Sequence, residues 1–202
     1  VRVVELLNAD TSISFDEFRA IKHDNAYSPR YRGYAYLSSV AQLEPDDPEE
    51  SQALSLIRNW DLHTDTSNRS AALGVCVLLE EWQAERSGSA LPDARETLHT
   101  CMDSVRDVAG QLDPEWGTVQ QHGRGQRTWP AAGGPDTLRA MYAEQLEDED
   151  DFLTVVAGDG LYYLIAWNAE GEQTIRGTHQ YGSQMTDETS PHYLDQAEPF
   201  SQ

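Results

Sequence analysis

The chain has 202 residues, of which 39% are hydrophobic, so it can form one packed domain or a large part of a bigger one. It carries 35 acidic and 14 basic residues, and its formal net charge is −21. Because so acidic a surface repels phosphate backbones and anionic lipids, direct binding to nucleic acid or membranes is not expected.

The first seven residues form an amphipathic run and do not have the features of a secretory signal. They lack a basic start, a long apolar stretch and a small-residue cleavage site. No segment of the sequence has the roughly 20 apolar residues that a bilayer-spanning helix needs. Since residue 1 is Val, we expect the chain to begin inside a longer protein, with any targeting signal outside it.

Residues 1–110 are predicted to form a helical layer. Apolar residues recur there at helical spacing, and residues that favour helix starts precede them. Ser14 is the expected N-cap of a short helix whose apolar face holds Phe15, Phe18 and Ile21. The first predicted helix begins near residue 15, and the second runs from Pro29 to about residue 42. Three further helices are predicted over residues 51–60, 67–85 and 93–109.

The last two of these helices are predicted to form an antiparallel hairpin, because only a short loop around Gly88 separates them. Cys76 is 12 residues before Gly88 and Cys101 is 13 residues after it, so both lie at nearly equal height. Buried free thiols and a disulfide are both compatible with this placement. In either case, Cα atoms within about 12 Å are predicted from the usual spacing of packed helices.

Residues 111–202 are predicted to contain a strand meander and an ordered tail. Strands at 152–157, 161–167 and 173–181 alternate with turn sequences at 158–160 and 168–171. The last twenty residues are predicted to be ordered without helix or strand. Helices followed by strands indicate an α+β fold. Because three strands are a poor stand-alone sheet, we expect them to be the edge of a larger one.

Three segments carry a resemblance to a known family by their order and spacing. Residues 60–73 contain Trp60-Asp61, Asp65 and a Ser before a long helix. Residues 114–139 contain Trp116-Gly117 and end in Gly133-Gly134-Pro135-Asp136-Thr137-Leu138-Arg139. Residues 179–196 contain His179-Gln180-Tyr181-Gly182-Ser183 and Ser190-Pro191-His192-Tyr193-Leu194-Asp195-Gln196. Together they resemble the penicillin acylase family, whose members include acyl-homoserine-lactone acylases and lipopeptide acylases.

The resemblance implies an N-terminal-nucleophile hydrolase with an αββα sandwich, of which this chain is the C-terminal part of the β chain. In such enzymes a precursor cleaves itself, and the hydroxyl of the new N-terminal Ser attacks the substrate amide. The free α-amine acts as the base, since its unperturbed pKa of about 8 lets it accept a proton at neutral pH. A backbone amide and an Asn side chain stabilise the tetrahedral intermediate.

The resemblance places the nucleophile, the oxyanion Asn and the calcium ligands of some members before Val1, which itself has no hydroxyl or thiol. No catalytic, cofactor-binding or metal-binding residue is therefore assigned, and the chain alone is expected to be inactive, although calcium is possible in the parent. The implied partners are the α chain, the N-terminal β segment and an acylated small molecule. The implied location is periplasmic or secreted.

The function that this supports is hydrolysis by the parent of the amide of a β-lactam, a homoserine lactone or a lipopeptide, with this chain as scaffold. Such activity would serve antibiotic metabolism or quorum quenching. The alternative is a stand-alone, non-catalytic binding or assembly module that keeps part of the fold. As part of a larger sheet, the strands should expose a large apolar patch on this chain.

Other patterns favour structural roles over separate sites. Ser190 precedes a proline and is not in a Gly-x-Ser-x-Gly elbow, so the tail is predicted to be fixed by side-chain-to-backbone bonds and not to form a triad. Asp65 or Ser67 is favoured as a helix N-cap over a metal site with Asp61 and His63. Glycines at 123–125 and 133–134 are interpreted as loops, and the acidic run at 144–151 as solvated.

Overall fold

The computed structural model describes residues 1–146, 151–184 and 186–201, and it confirms an α+β fold with helices first and most strands later. The helices are α1 Arg2–Ala9, α2 Phe15–Lys22, α3 Tyr34–Ala41, α4 Pro48–Asn59, α5 Ala71–Ser87, α6 Ala94–Ala109, α7 Trp116–Val119 and α8 Ala197–Ser201. The strands are β1 Gln120–Arg124, β2 Arg127–Pro130, β3 Met141–Glu144, β4 Leu153–Gly158, β5 Leu161–Trp167 and β6 Gln173–His179. Within the described ranges, no helix combines the length and the apolar character needed to cross a membrane.

Side-chain caps determine where the early helices begin. Ser14 is the N-cap of α2, as predicted, and it forms a capping box with Glu17. Helix α4 begins at Pro48, earlier than predicted. The Asp47 carboxylate accepts hydrogen bonds from two backbone N–H groups of the first turn, and proline suits the first helical position because an N–H there would have no partner within the helix. The prediction that Pro29 opens a helix is wrong, since α3 begins only at Tyr34.

The start of α5 also differs from the prediction. The helix begins at Ala71 and not at residue 67. The side-chain Oδ1 of Asn68 accepts hydrogen bonds from the backbone N–H groups of Ser70 (2.9 Å) and Ala71 (3.0 Å). The capping role expected of Asp65 or Ser67 therefore belongs to Asn68, which satisfies donors that a helix start leaves unpaired.

The hydrophobic core lies among α3, α4, α5 and α6. Leu54, Leu73 and Leu98, one from each of the last three helices, are fully buried there. Helix α5 approaches the ring of Trp60 closely, because Gly74 faces it: a Cβ at Gly74 would lie 2.1 Å from a ring carbon. Glycine is thus a packing requirement at this position in the helix.

The strands form two sheets and not the single predicted meander. Four strands are ordered β2-β1-β4-β3, with β1 parallel to β4, and β5 and β6 form a separate antiparallel pair. The predicted pairing of the strand at 152–157 with the strand at 161–167 is wrong, because β4 pairs with β1 and β3. The predicted antiparallel pairing of the second and third strands is confirmed.

The segment between β4 and β5 carries the chain out of the four-stranded sheet. Gly158 has a φ of 128°, and a Cβ there would lie 2.2 Å from the carbonyl oxygen of Ala140. The N–H of Asp159 donates to the same oxygen over 2.8 Å. Gly158 and Asp159 thus continue the contact of β4 with the segment that leads into β3. This contact prevents the tight turn that would pair β4 with β5.

The prediction that the last twenty residues contain no helix is wrong, since the short helix α8 ends the described part of the chain. Helix α8 buries Ala197, Phe200 and Ser201. The ring of Phe200 lies 4.3 Å from the guanidinium carbon of Arg139. Because so short a helix has little stability of its own, this docking of Phe200 accounts for its formation.

Candidate functional site

One face of the β5–β6 hairpin is open and apolar. Alternate residues of a strand point to the same side of a sheet, so four positions of β5 line up over about 20 Å. Ile165 pairs with Ile175, and Tyr163 covers Gly177 across the strands. We call this surface the open hairpin face. Its large apolar residues are 47–63% exposed: Leu161, Tyr163, Ile165, Trp167 and Ile175.

The opposite face of the hairpin is covered by other parts of the chain. Leu164 is 5% exposed there. The Tyr162 hydroxyl lies 2.8 Å from Nε2 of His23, at the end of α2, and Thr178 donates to the side chain of Gln196 (3.1 Å). The chain thus covers one hairpin face and leaves the other exposed, in agreement with the predicted exposed apolar surface.

A polar cluster lies under the covered face of the hairpin. The side chain of Arg139 is 2% exposed, and its Nη1 lies 3.5 Å from Oδ2 of Asp159. Lys22 pairs with the same carboxylate and also donates to the carbonyl of Leu138 over 3.2 Å. Burial, followed by the charges of Arg139 and Lys22, lowers the pKa of His23. One carboxylate therefore pairs with two cations, and the environment of His23 favours its neutral form.

The Gly133–Arg139 motif contains a second cluster, centred on Asp136. Its carboxylate accepts hydrogen bonds from Tyr142 (2.8 Å), Tyr31 (3.0 Å) and Arg32 (3.1 Å). Its backbone has a φ of 61°, which Asp tolerates better than most residues. Burial and the Asp136 charge raise the pKa of Tyr31, so this phenol stays protonated and acts as a donor. The cluster joins the motif to the start of α3 and contains no activated nucleophile.

The tail at 190–195 does not form a catalytic triad. Nδ1 of His192 lies 2.9 Å from Asp195, but the Ser190 hydroxyl accepts from the backbone N–H of His192 (3.2 Å) and not from its ring. Such side-chain-to-backbone bonds confirm the prediction for this segment. The ring of Tyr193 lies 4.1 Å from the guanidinium carbon of Arg124.

The residues considered for a metal site have other partners. Asp61 accepts from the backbone N–H of His63 (3.0 Å) and the side chain of Asn68 (2.9 Å). Asp65 accepts from Asn25 (2.8 Å). Across residues 1–146, 151–184 and 186–201, no group of three or more His, Cys, Asp or Glu side chains is placed to hold a metal. Residues 147–150 of the acidic run lie outside the described residues.

The segment at 133–134 is a loop, as predicted, whereas the prediction for 123–125 is wrong at Gly123, which lies in β1 opposite Thr128. Gly125 lies in the turn between β1 and β2 with a φ of 60°. The carbonyl of Gly133 accepts hydrogen bonds from the indole N–H of Trp116 (2.9 Å) and the side chain of Gln120 (3.1 Å). The N–H of Gly133 donates to the carbonyl of Thr64 (3.1 Å) and that of Gly134 to the Thr137 hydroxyl (3.2 Å), so neither is free to bind a phosphate.

Sequence reasoning missed the buried polar residues that join the sheets. His122 and Arg139 are 2% and 1% exposed. Arg139 belongs to one of the three motifs, but nothing in its local sequence distinguishes a buried Arg from a surface Arg. His122 alternates with polar neighbours in a short strand and carries no local signal of burial.

A comparison with protein families gives one match over the entire chain. The model of the family described as penicillin amidase matches residues 1–202. The match includes all three motif segments, the open hairpin face and both polar clusters.

Proposed function

Because the chain belongs to the penicillin amidase family, we propose that it is part of the scaffold of an amide-hydrolysing acylase. In this proposal, residues 1–110 and 111–202 are the helical and strand portions of the C-terminal end of a β chain. The nucleophile and the oxyanion donors are supplied by sequence outside these 202 residues.

The observation that carries the proposal is the one-sided covering of the β5–β6 hairpin. A two-stranded sheet alone is marginally stable in water. This hairpin has α2 and the tail on one side, and five large apolar residues 47–63% exposed on the other. A second β layer, packed about 10 Å away, would bury that face. The parent's other segments, the α chain and the N-terminal part of the β chain, are the proposed source of that layer.

The proposed reaction is hydrolysis of a linear amide by an N-terminal Ser of the parent. The acyl group would be removed from a β-lactam, a homoserine lactone or a lipopeptide. The residues of this chain would stabilise the active site without contacting the substrate. The polar clusters at Asp136 and Arg139 are engaged in hydrogen bonds and ion pairs within the chain. A calcium ion bound elsewhere in the parent, and a periplasmic or secreted location, complete the proposal.

The test compares the 202-residue chain with the intact protein that contains it. Both are assayed with penicillin G, an acyl-homoserine lactone and a lipopeptide, and release of the free amine is measured. We expect turnover by the intact protein only, and a variant of its N-terminal Ser to Ala serves as the control. Turnover by the 202-residue chain alone would refute the scaffold role.

Absence of turnover by the intact protein on all three substrates would favour a non-catalytic binding module. The open hairpin face also supports this alternative, because an exposed apolar surface of this kind can bind a separate protein partner.

A further inference from the structure

His122 lies at the contact between the two sheets. It belongs to β1, inside the four-stranded sheet, and is 2% exposed. Its Nε2 lies 2.5 Å from the backbone carbonyl oxygen of Gln180, the residue that follows β6. Because a carbonyl can only accept, Nε2 carries the ring proton and Nδ1 carries the lone pair.

The ring of His122 is enclosed by aromatic side chains from three other segments. It stacks on Tyr181 with 4.9 Å between centroids and 12° between planes. The rings of Phe200 in α8 and Trp129 in β2 lie 5.5 and 6.3 Å away. Within the described part of the chain, the buried Nδ1 has no hydrogen-bond partner.

The charges around His122 oppose a second proton. Burial lowers the pKa of His122, the hydrogen bond to the Gln180 carbonyl raises it, and the charge of Arg139 lowers it further. Asp159 lines a cavity of about 90 Å³ with His122, but its carboxylate is engaged by Lys22 and Arg139.

Among the described residues, the other elements around His122 bring no carboxylate that raises its pKa. On β1 itself, the guanidinium carbon of Arg124 lies 4.4 Å from the ring of Tyr181. The charged residues of β2 and α8, Arg127 and Glu198, are exposed. Strand β4 has no charged residue.

We propose that His122 is an acid-sensitive joint whose protonation releases the segment after β6, and with it the hairpin, from the four-stranded sheet. A protonated imidazole has two N–H donors, and the new one at Nδ1 would face aromatic rings and no acceptor. Leaving its enclosure gives the ring bulk water as a partner for this donor. Gln180 then loses its hydrogen bond to the His122 ring, and Tyr181 loses its stacking partner.

The direction with pH follows from the lowered pKa. The state in which His122 is docked binds fewer protons than the released state. Docking is therefore at full strength above the unperturbed histidine pKa of about 6.5. As pH falls below that value, docking weakens by up to about tenfold per pH unit, and it stops weakening below the pKa of the docked state.

Amide hydrogen exchange of the intact protein between pH 7.5 and 5 tests the proposal. Protection factors in residues 173–181 and 186–201 should fall by up to about tenfold per unit below pH 6.5, while those in α4 and α5 stay constant. His122→Gln keeps a donor toward Gln180 but cannot titrate, so it should remove this dependence at residues 180–181 and 186–201. Within the hairpin, His23, whose pKa is also lowered and whose ring contacts Tyr162, contributes a separate dependence. His179→Gln, a control in the same segment, should retain the dependence at residues 180–181 and 186–201. An unchanged dependence there in His122→Gln, or none in the natural protein, would overturn the proposal.

A second measurement covers the case in which His122→Gln does not fold. Imidazole NMR of the natural protein reports the tautomer and titration of His122 directly. We expect the Nε2–H tautomer and a midpoint below 6.5. An Nδ1–H tautomer, or a titration midpoint at 6.5 or above, would contradict the proposal that protonation of His122 releases this segment.

Discussion

Cys76 in α5 and Cys101 in α6 form a disulfide whose Cα atoms are 5.7 Å apart. The prediction that the two lie at equal height across the helical hairpin is confirmed. The sequence was compatible with two buried thiols as well as with a bond, and the structure selects the bond. It joins the two longest helices across the core.

Removal of this disulfide should destabilise the protein. It closes a loop with a sequence separation of 25, and a loop of this size corresponds to about 3 kcal/mol of unfolded-state entropy. We expect Cys76→Ala/Cys101→Ala to lower the free energy of unfolding by about that amount in urea denaturation. Dithiothreitol should affect the natural protein and not the double variant. Equal sensitivity of both proteins would contradict the bond.

Glu50 should make part of the stability dependent on pH in the acid range. Its pKa is lowered from 4.5 to about 2 by the backbone N–H of Asp46, then by hydrogen bonds to His99 and Arg95. Because the folded-state pKa is depressed, this contribution is complete above about pH 4.5 and is lost as pH falls towards 2. Glu50→Gln should be less stable at pH 7 and show a shallower loss between pH 4.5 and 2 in urea denaturation. Glu96→Gln, at an exposed position of α6, should behave like the natural protein.

Gly74→Ala should be destabilising although alanine favours helices. The added Cβ would lie 2.1 Å from the ring of Trp60, so the helix or the ring must move. Overpacking of this kind costs about 1–3 kcal/mol, which should appear as a lower thermal midpoint. Gly123→Ala is the matched control, since its Cβ would meet Thr128 at an ordinary 3.7 Å. Similar midpoints for the two variants would show that Trp60 does not constrain α5.

A charge on the open hairpin face should affect the intact protein and not the isolated chain. Ile165 is 47% exposed in this chain, so Ile165→Lys should leave its folding nearly unchanged and raise its solubility. If a second layer covers this face in the intact protein, the buried lysine should cost several kcal/mol and lower the yield of folded enzyme. Thr174→Lys is the control, because Thr174 lies at the end of β6, where the otherwise covered face is exposed. Full yield of the Ile165→Lys protein would argue against the covering layer.

The sequence determined the features that depend on neighbouring residues. The capping box at Ser14, the existence of the long helices α5 and α6, and the equal height of Cys76 and Cys101 follow from local spacing, because helical hydrogen bonds join residues four apart. The antiparallel pairing of β5 with β6 follows in the same way from the short turn at 168–172. The three motif segments also identified the family that matches residues 1–202.

Only the tertiary structure decided which distant segments meet. The parallel pairing of β1 with β4 joins Gln120 to Leu153, and no local pattern distinguishes that partner from the next strand along the chain. Helix α8 forms because Phe200 docks beside Arg139, and His122 is buried because Gln180 and three rings surround it. Strand pairing and the burial of polar groups depend on contacts between residues far apart in sequence, so their energy is defined only once the chain has folded.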